Sequence, residues 1–83
     1  MKILYFAWVR QKLGKTSEDV SPPGDVRTAG ALLDWLKGLD KAHAEALANA
    51  ASLRIAVDQA HAGPETSIEN AREVAFFPPM TGG

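Results

Sequence analysis

Glu73-Val74-Ala75-Phe76-Phe77-Pro78-Pro79-Met80-Thr81-Gly82-Gly83 closes the chain, and its reading decides the fold because a strand here runs straight into residues that cannot continue one. On an extended backbone Val74 and Phe76 fall on one side and Ala75 and Phe77 on the other, which predicts a last strand over 73–77. Pro78 ends ladder pairing, since it has no N–H to donate. The fixed φ of Pro78 and Pro79, and the extended preference of a residue before proline, stiffen the chain beyond the strand. Gly82 and Gly83 lack a Cβ and so suit a channel too narrow for branched residues. A stiff spacer with a slim tip is a design for presenting the Gly83 carboxylate to another protein's active site; a merely frayed chain end is the plain alternative. The expectation is one folded domain over 1–77 with an extended tail over 78–83.

Working outward, Ile3-Leu4-Tyr5-Phe6-Ala7-Trp8-Val9 is apolar on both alternating faces, as for a strand inside a sheet. One face is expected to meet a helix, the other to serve a partner or lie under a loop. A turn over 10–15 and a short polar strand over 16–20 complete an opening hairpin. Ser21-Pro22-Pro23-Gly24-Asp25 breaks regular structure. Thr28 then caps a helix whose Ala29, Leu32, Leu33, Leu36 and Leu39 form one apolar stripe, with Trp35 at its border. Gly30 weakens that helix but allows close approach to the sheet. After a break over 38–40, the alanine-rich segment 41–50 predicts a second, short helix with little apolar area to bury. A strand over 53–59 turns Leu53, Ile55 and Val57 inward. Gly63-Pro64 marks a turn, and residues 66–68 are expected to add a brief edge pairing. The order predicts an α+β fold: a mixed sheet packed on one main helix, with a second short helix.

Composition narrows the function. The chain has 83 residues, 46% of them hydrophobic, enough for one domain with a core. A formal net charge of −1 offers no clustered cations for phosphates, so no nucleic-acid partner is expected. There is no cysteine, which removes disulfides, thiolate metal sites and a cysteine nucleophile. Any sulfur handled here must ride on another atom. The apolar run 3–9 is too short to span a bilayer and lacks signal-peptide features, so no membrane partner and a cytoplasmic location are expected. His43 and His61 lie far apart with no convincing Asp, Glu or His set around either, which argues against a metal. No glycine loop cradles phosphate, so ATP is not expected to bind this chain. Trp8 and Trp35 read as core or border residues, with an aromatic recognition site as the sharper alternative. Glu45 and Asn49 read as a polar helix face. Arg10 reads either as a partner for a carboxylate or as a solvated strand-end charge.

Taken together, the C-terminal run 73–83 and Phe6-Ala7-Trp8-Val9-Arg10 resemble, over essentially the full length, the small subunits of molybdopterin synthase. These are ubiquitin-like sulfur carriers with the β-grasp fold. Val57-Asp58 departs from the family's common Val-Asn, and Asn70-Ala71-Arg72-Glu73 replaces a turn that commonly holds a glycine suited to positive φ. The resemblance implies a non-catalytic, sulfur-donating subunit of a transferase complex, with the catalytic residues in the large subunit. It implies that a ubiquitin-activating-type adenylyltransferase uses Mg-ATP to adenylate Gly83, that a sulfur donor converts the acyl-adenylate to a thiocarboxylate, and that the large synthase subunit transfers this sulfur to cyclic pyranopterin monophosphate to build the molybdopterin dithiolene. Gly83 is then the carrier, Gly82, Thr81 and Met80 the inserting segment, and Phe76, Phe77, Pro78, Pro79 and Arg10 the partner-binding residues. Phe76 reads equally as a core residue, which would leave Phe77 to the partner. Carriers for thiazole, cysteine or tRNA thiolation share the terminal chemistry, and a ubiquitin-like binding module with an unmodified tail remains the more distant alternative.

Overall fold

The computed structural model describes residues 1–49 and 52–79. Five strands form one sheet in the order β2-β1-β5-β3-β4, made of β1 (Lys2–Tyr5), β2 (Ser17–Asp19), β3 (Arg54–Val57), β4 (Ala60–Ala62) and β5 (Glu73–Phe77). The two terminal strands β1 and β5 lie side by side and parallel, Leu4 opposite Ala75 and Tyr5 opposite Phe76. All other pairs are antiparallel. The strand predicted over 73–77 is therefore central, paired on both edges.

Among the described residues three α-helices complete the fold: α1 (Ala7–Leu13), α2 (Ala29–Lys37) and α3 (Lys41–Ala46). Thr28 caps α2 as predicted, its hydroxyl accepting from the Ala31 N–H at 3.2 Å. Leu32 and Leu36 of its stripe are fully buried and Leu33 is half-buried, but Leu39 lies beyond the helix end and is 41% exposed. Gly30 does allow a close approach, though to a loop: its N–H donates to the Pro64 carbonyl at 2.8 Å, and an added Cβ would sit 3.0 Å from that oxygen. Ile3, Tyr5, Val74, Phe76 and Ile55 from the sheet share one core with Val9, Leu32, Leu36 and Leu47. Tyr5 and Phe76 stack with ring centroids 6.4 Å apart. Each such side chain contributes about 1.5–3 kcal/mol on burial. This mixed sheet with helices packed on it is the β-grasp, or ubiquitin-like, fold.

The opening hairpin needs correction. The predicted strand over 3–9 stops at Tyr5, and Ala7 begins a helix. Ala7 takes φ 54, a left-handed conformation that breaks the extended run at a cost of roughly 1–2 kcal/mol from its Cβ. Val9 and Leu13, four residues apart, then turn inward. Gly14 ends α1 at φ 83, its N–H returning to the Arg10 carbonyl at 2.8 Å. β2 still pairs antiparallel with β1, so the pairing holds while a helix replaces the turn.

Two further differences lie around β3. Residues 66–68 give only an isolated bridge between Ser67 and Thr28, and the edge strand is β4 instead. Asp58 and Gln59 form the two-residue loop between β3 and β4, both with positive φ (49 and 71), as a type I′ hairpin requires. The Asp58 carboxylate accepts from the Arg72 and Glu73 N–H groups at 2.9 and 3.0 Å, tying the hairpin tip to the start of β5. The turn lacking a glycine is accommodated by Asn70, which takes φ 67; asparagine enters this region more readily than most side chains. The second helix ends at Ala46, short of the predicted segment, whose last residue Ala50 lies outside the described residues.

Candidate functional site

The strand period separates the sheet into two unlike faces. Ile3, Tyr5, Ile55, Val74 and Phe76 point into the core, so Leu4, Ala56, Ala75 and Phe77 point the other way. With Phe6, Ala7 and Pro78 they line an apolar groove of about 700 Å³ across β1, β5 and β3. Arg10, Gln59 and Glu73 supply its polar groups. Phe6 is 44% exposed, and its ring meets Phe77 edge-on with centroids 6.5 Å apart. His61, on β4, meets the Phe77 ring at 6.1 Å, so aromatic contacts extend to the sheet edge. The left-handed Ala7 adjoins this groove, a location where backbone strain often accompanies function.

The predicted partner-binding residues separate into two groups. Phe77, Pro78 and Arg10 line the groove together. Arg10 does so from the second turn of α1 and not from a strand end, and it makes no ion pair among the described residues. Phe76 does not reach the groove: the strand period turns its ring into the core, where it is 0% exposed. Pro79 is half-buried just past the end of β5. Met80, Thr81, Gly82 and Gly83 lie outside the described residues. Leu4, Ala56 and Ala75 were missed as groove residues. The signal was present in the sequence, since each falls between inward-facing neighbours and is itself apolar where a solvated face would carry polar residues.

His43 also differs from its sequence reading. It is buried between two carboxylates, with Nε2 2.7 Å from Glu18 Oε2 and Nδ1 2.7 Å from Asp40 Oδ1. The Tyr5 hydroxyl donates to the same Glu18 oxygen at 2.6 Å, and Lys15 Nζ donates to Glu18 Oε1 at 3.1 Å. Burial, reinforced by Glu18, holds the Tyr5 phenol far above its usual range, so it stays a donor. Burial alone would raise Glu18, but the hydrogen bonds from Tyr5, His43 and Lys15 outweigh it and leave the carboxyl below its ordinary value. Asp40 is lowered by the His43 backbone N–H and then by the ring. Burial disfavours the charged His43 ring, yet the Glu18 and Asp40 bonds prevail and raise it. Among the described residues no group of three or more His, Cys, Asp or Glu is arranged to hold a metal, and no helix is long and apolar enough to cross a membrane.

Geometry of this kind has known counterparts. A family model described as the ThiS family matches residues 3–83. The molybdopterin synthase sulfur carrier subunit of Haemophilus influenzae is 32% identical over 83 residues, covering 100% of this chain and 99% of the relative. The subunit of the same name from Escherichia coli is 35% identical over the same coverage. Among solved structures, SAMP1 from Haloferax volcanii superposes with a TM-score of 0.75 at 25% identity, covering 99% of this chain and 97% of that one. Matched by the family model over residues 3–83 and aligned with these relatives over its whole length, the chain belongs to the ThiS family, as a small sulfur-carrier protein homologous to the small subunit of molybdopterin synthase.

Proposed function

We propose that this chain carries sulfur on the terminal carboxylate of Gly83 and delivers it, within a molybdopterin synthase, to a pterin precursor. The observation that carries the reading is the position of β5. Paired on both edges, it runs into Pro78-Pro79 beside an apolar groove that the described residues leave open, so a central strand brings the chain as far as Pro79 next to a surface suited to a partner. The family's sulfur carriers are non-catalytic and act as substrates of a separate catalytic subunit, which fits a chain whose tail, and not a side-chain cluster, is the chemical end.

A carboxylate resists nucleophiles because its negative charge is delocalised over both oxygens. An activating enzyme of the ubiquitin-activating type joins a Gly83 carboxylate oxygen to the α-phosphorus of Mg-ATP and releases pyrophosphate. A sulfur nucleophile then attacks the acyl carbon, the bond from that carbon to the AMP oxygen breaks, and AMP leaves with the electron pair; a persulfide donor needs a further thiol to release the thiocarboxylate. The large synthase subunit seats its own apolar side chains in the groove, pairs a carboxylate with Arg10, and admits Met80, Thr81, Gly82 and Gly83 to its active site. Phe77, Pro78 and Pro79 orient this entry, and Phe76 acts from the core by fixing the strand. The thiocarboxylate sulfur bonds to a side-chain carbon of the pterin precursor as a carbon–oxygen bond there breaks, and water then cleaves the acyl–sulfur bond, leaving the sulfur on the pterin and returning the Gly83 carboxylate. Both Mg-ATP and the pterin belong to the partners' sites on this account.

Incubation with the adenylyltransferase, Mg-ATP and a sulfur source should raise the intact mass by the difference between sulfur and oxygen. The charged protein mixed with large subunit and cyclic pterin precursor should then yield the dithiolene and the uncharged chain. Charging followed by transfer only to a thiazole-forming or tRNA-thiolating enzyme would move the chain to another pathway. A chain extended past Gly83 that delivers sulfur with its extension intact would overturn the terminal-carboxylate reading altogether.

A further inference from the structure

We propose that Tyr5, Glu18, His43 and Asp40 form a proton-operated clasp that holds α3 against the β1–β2 edge of the sheet, closed while the His43 ring carries two protons and loosened when one leaves to solvent. The geometry sets the rule. Both ring nitrogens lie 2.7 Å from carboxylate oxygens, one of Glu18 and one of Asp40. A neutral imidazole has a single N–H. It would therefore hold a lone pair against one of those oxygens, and only the imidazolium donates to both. With the residue 4% exposed, water has little room to repair the mismatch.

Neither carboxylate is free to turn away. Glu18 Oε2 also accepts from Tyr5 at 2.6 Å, and its Oε1 accepts from Lys15 at 3.1 Å. Asp40 Oδ1 accepts the His43 backbone N–H at 2.8 Å and so caps α3 itself. With His43 charged, Glu18 and Asp40 are balanced by His43 and Lys15; without that proton the cluster keeps an uncompensated negative charge. Charges on the neighbouring helices do not replace it. From α1, Arg10 lines the groove and Lys12 lies 5.8 Å over the Trp8 ring. From α2, Asp34 and Lys37 make no ion pair among the described residues.

The consequence reaches the open face through packing. α3 packs on α1, and α1 carries Ala7 and Arg10 of the groove. The clasp thus sets how firmly that helix is backed, and it operates whether or not the carrier reading holds.

The test follows the full-length protein by NMR, reading the His43 ring and the amide exchange of α3 across pH, with protection corrected for the intrinsic pH dependence of exchange. His43 should titrate above the ordinary value of 6.5. Protection of the α3 amides should fall about tenfold for each pH unit between 6.5 and the His43 midpoint and then level off, because the open form loses its proton first. Amides of β5 should not follow. His43→Gln should abolish the dependence, and Asp40→Asn should lower the His43 midpoint. A His43 midpoint at or below 6.5, α3 protection that stays flat through this window, or the same dependence persisting in His43→Gln would each overturn the clasp. The titration of the unsubstituted protein decides the matter even if a variant does not fold.

Discussion

The two faces of the sheet are built from the same strands and differ only by alternate residues, yet one is closed and the other open. On the closed face Ile3, Tyr5, Val74 and Phe76 are at most 1% exposed under the helices. Across the backbone, Leu4, Ala56, Ala75 and Phe77 are also apolar but line a groove that the described residues leave open, with Phe6 44% exposed at its side. A sheet with one wet face ordinarily alternates apolar and polar residues. Folding accounts for the closed face only; the apolar character of the open face requires another explanation, and a docking partner supplies one. The same backbone thus does two jobs, and adjacent residues of β5 belong to different ones.

Adjacent phenylalanines give the sharpest way to break this division. Phe76→Ala should remove about 3–5 kcal/mol of stability, the usual penalty for deleting a buried aromatic. An 83-residue domain has only roughly 4–12 kcal/mol in total, so the urea midpoint should fall by at least about a quarter, and at the low end of that range the folded baseline disappears. Phe77→Ala should change stability by less than about 1 kcal/mol but weaken binding to the large synthase subunit by about 2 kcal/mol, near thirtyfold in Kd, as expected for an aromatic anchor. Calorimetric titration and urea melts on both variants check the pair. Similar stability losses from both would erase the distinction between faces.

A smaller effect is expected at the groove's charged edge. Arg10→Ala should leave the melting curve nearly unchanged, because the side chain is exposed and makes no ion pair among the described residues. It should slow association with the large subunit several-fold at low salt, with the difference shrinking as salt rises. Stopped-flow association at two salt concentrations reads this directly. A rate unaffected by the substitution would leave the open face purely apolar in its action.

Both faces were partly written in the sequence. The strand over 73–77, its end before Pro78 and the Thr28-capped helix were legible because each rests on local chemistry: alternation, a proline that cannot donate, and a capping hydroxyl. What stayed hidden depends on backbone detail or distance. Ile3 to Val9 is apolar at every position, which fits a buried strand or a buried helix equally, and only the left-handed Ala7 separates them. β4 was invisible because Ala60, His61 and Ala62 carry little strand preference; the positive φ of Asp58 and Gln59 makes the strand. His43 looked isolated because Glu18 lies 25 residues away, and only the fold brings the two together. Phe6, Phe77 and Arg10 were named from the motif, but their union in one groove depends on the parallel β1–β5 pair.

The smallest expected effect concerns the acid limb of the closed face. Glu18 and Asp40 both titrate below their ordinary values of 4.5 and 3.8 in the folded chain. A carboxyl whose folded pKa is depressed stabilises fully above its unfolded value and loses that contribution as pH falls through the folded one. The contribution of these two carboxylates should therefore hold steady above about pH 5 and decline as Glu18 and Asp40 gain protons. Asp40 is exposed and its share is screened by solvent, so Glu18, half-buried and holding Tyr5, His43 and Lys15, carries most of the decline. Glu18→Gln should flatten the acid limb of a thermal-unfolding series taken from pH 6 to pH 3, because an amide has no proton to gain there. The folded chain should persist at pH 6, since the amide oxygen still accepts from Tyr5. A variant whose acid limb matches that of the unsubstituted chain would place the decline on other carboxylates and strip the closed face of its special sensitivity.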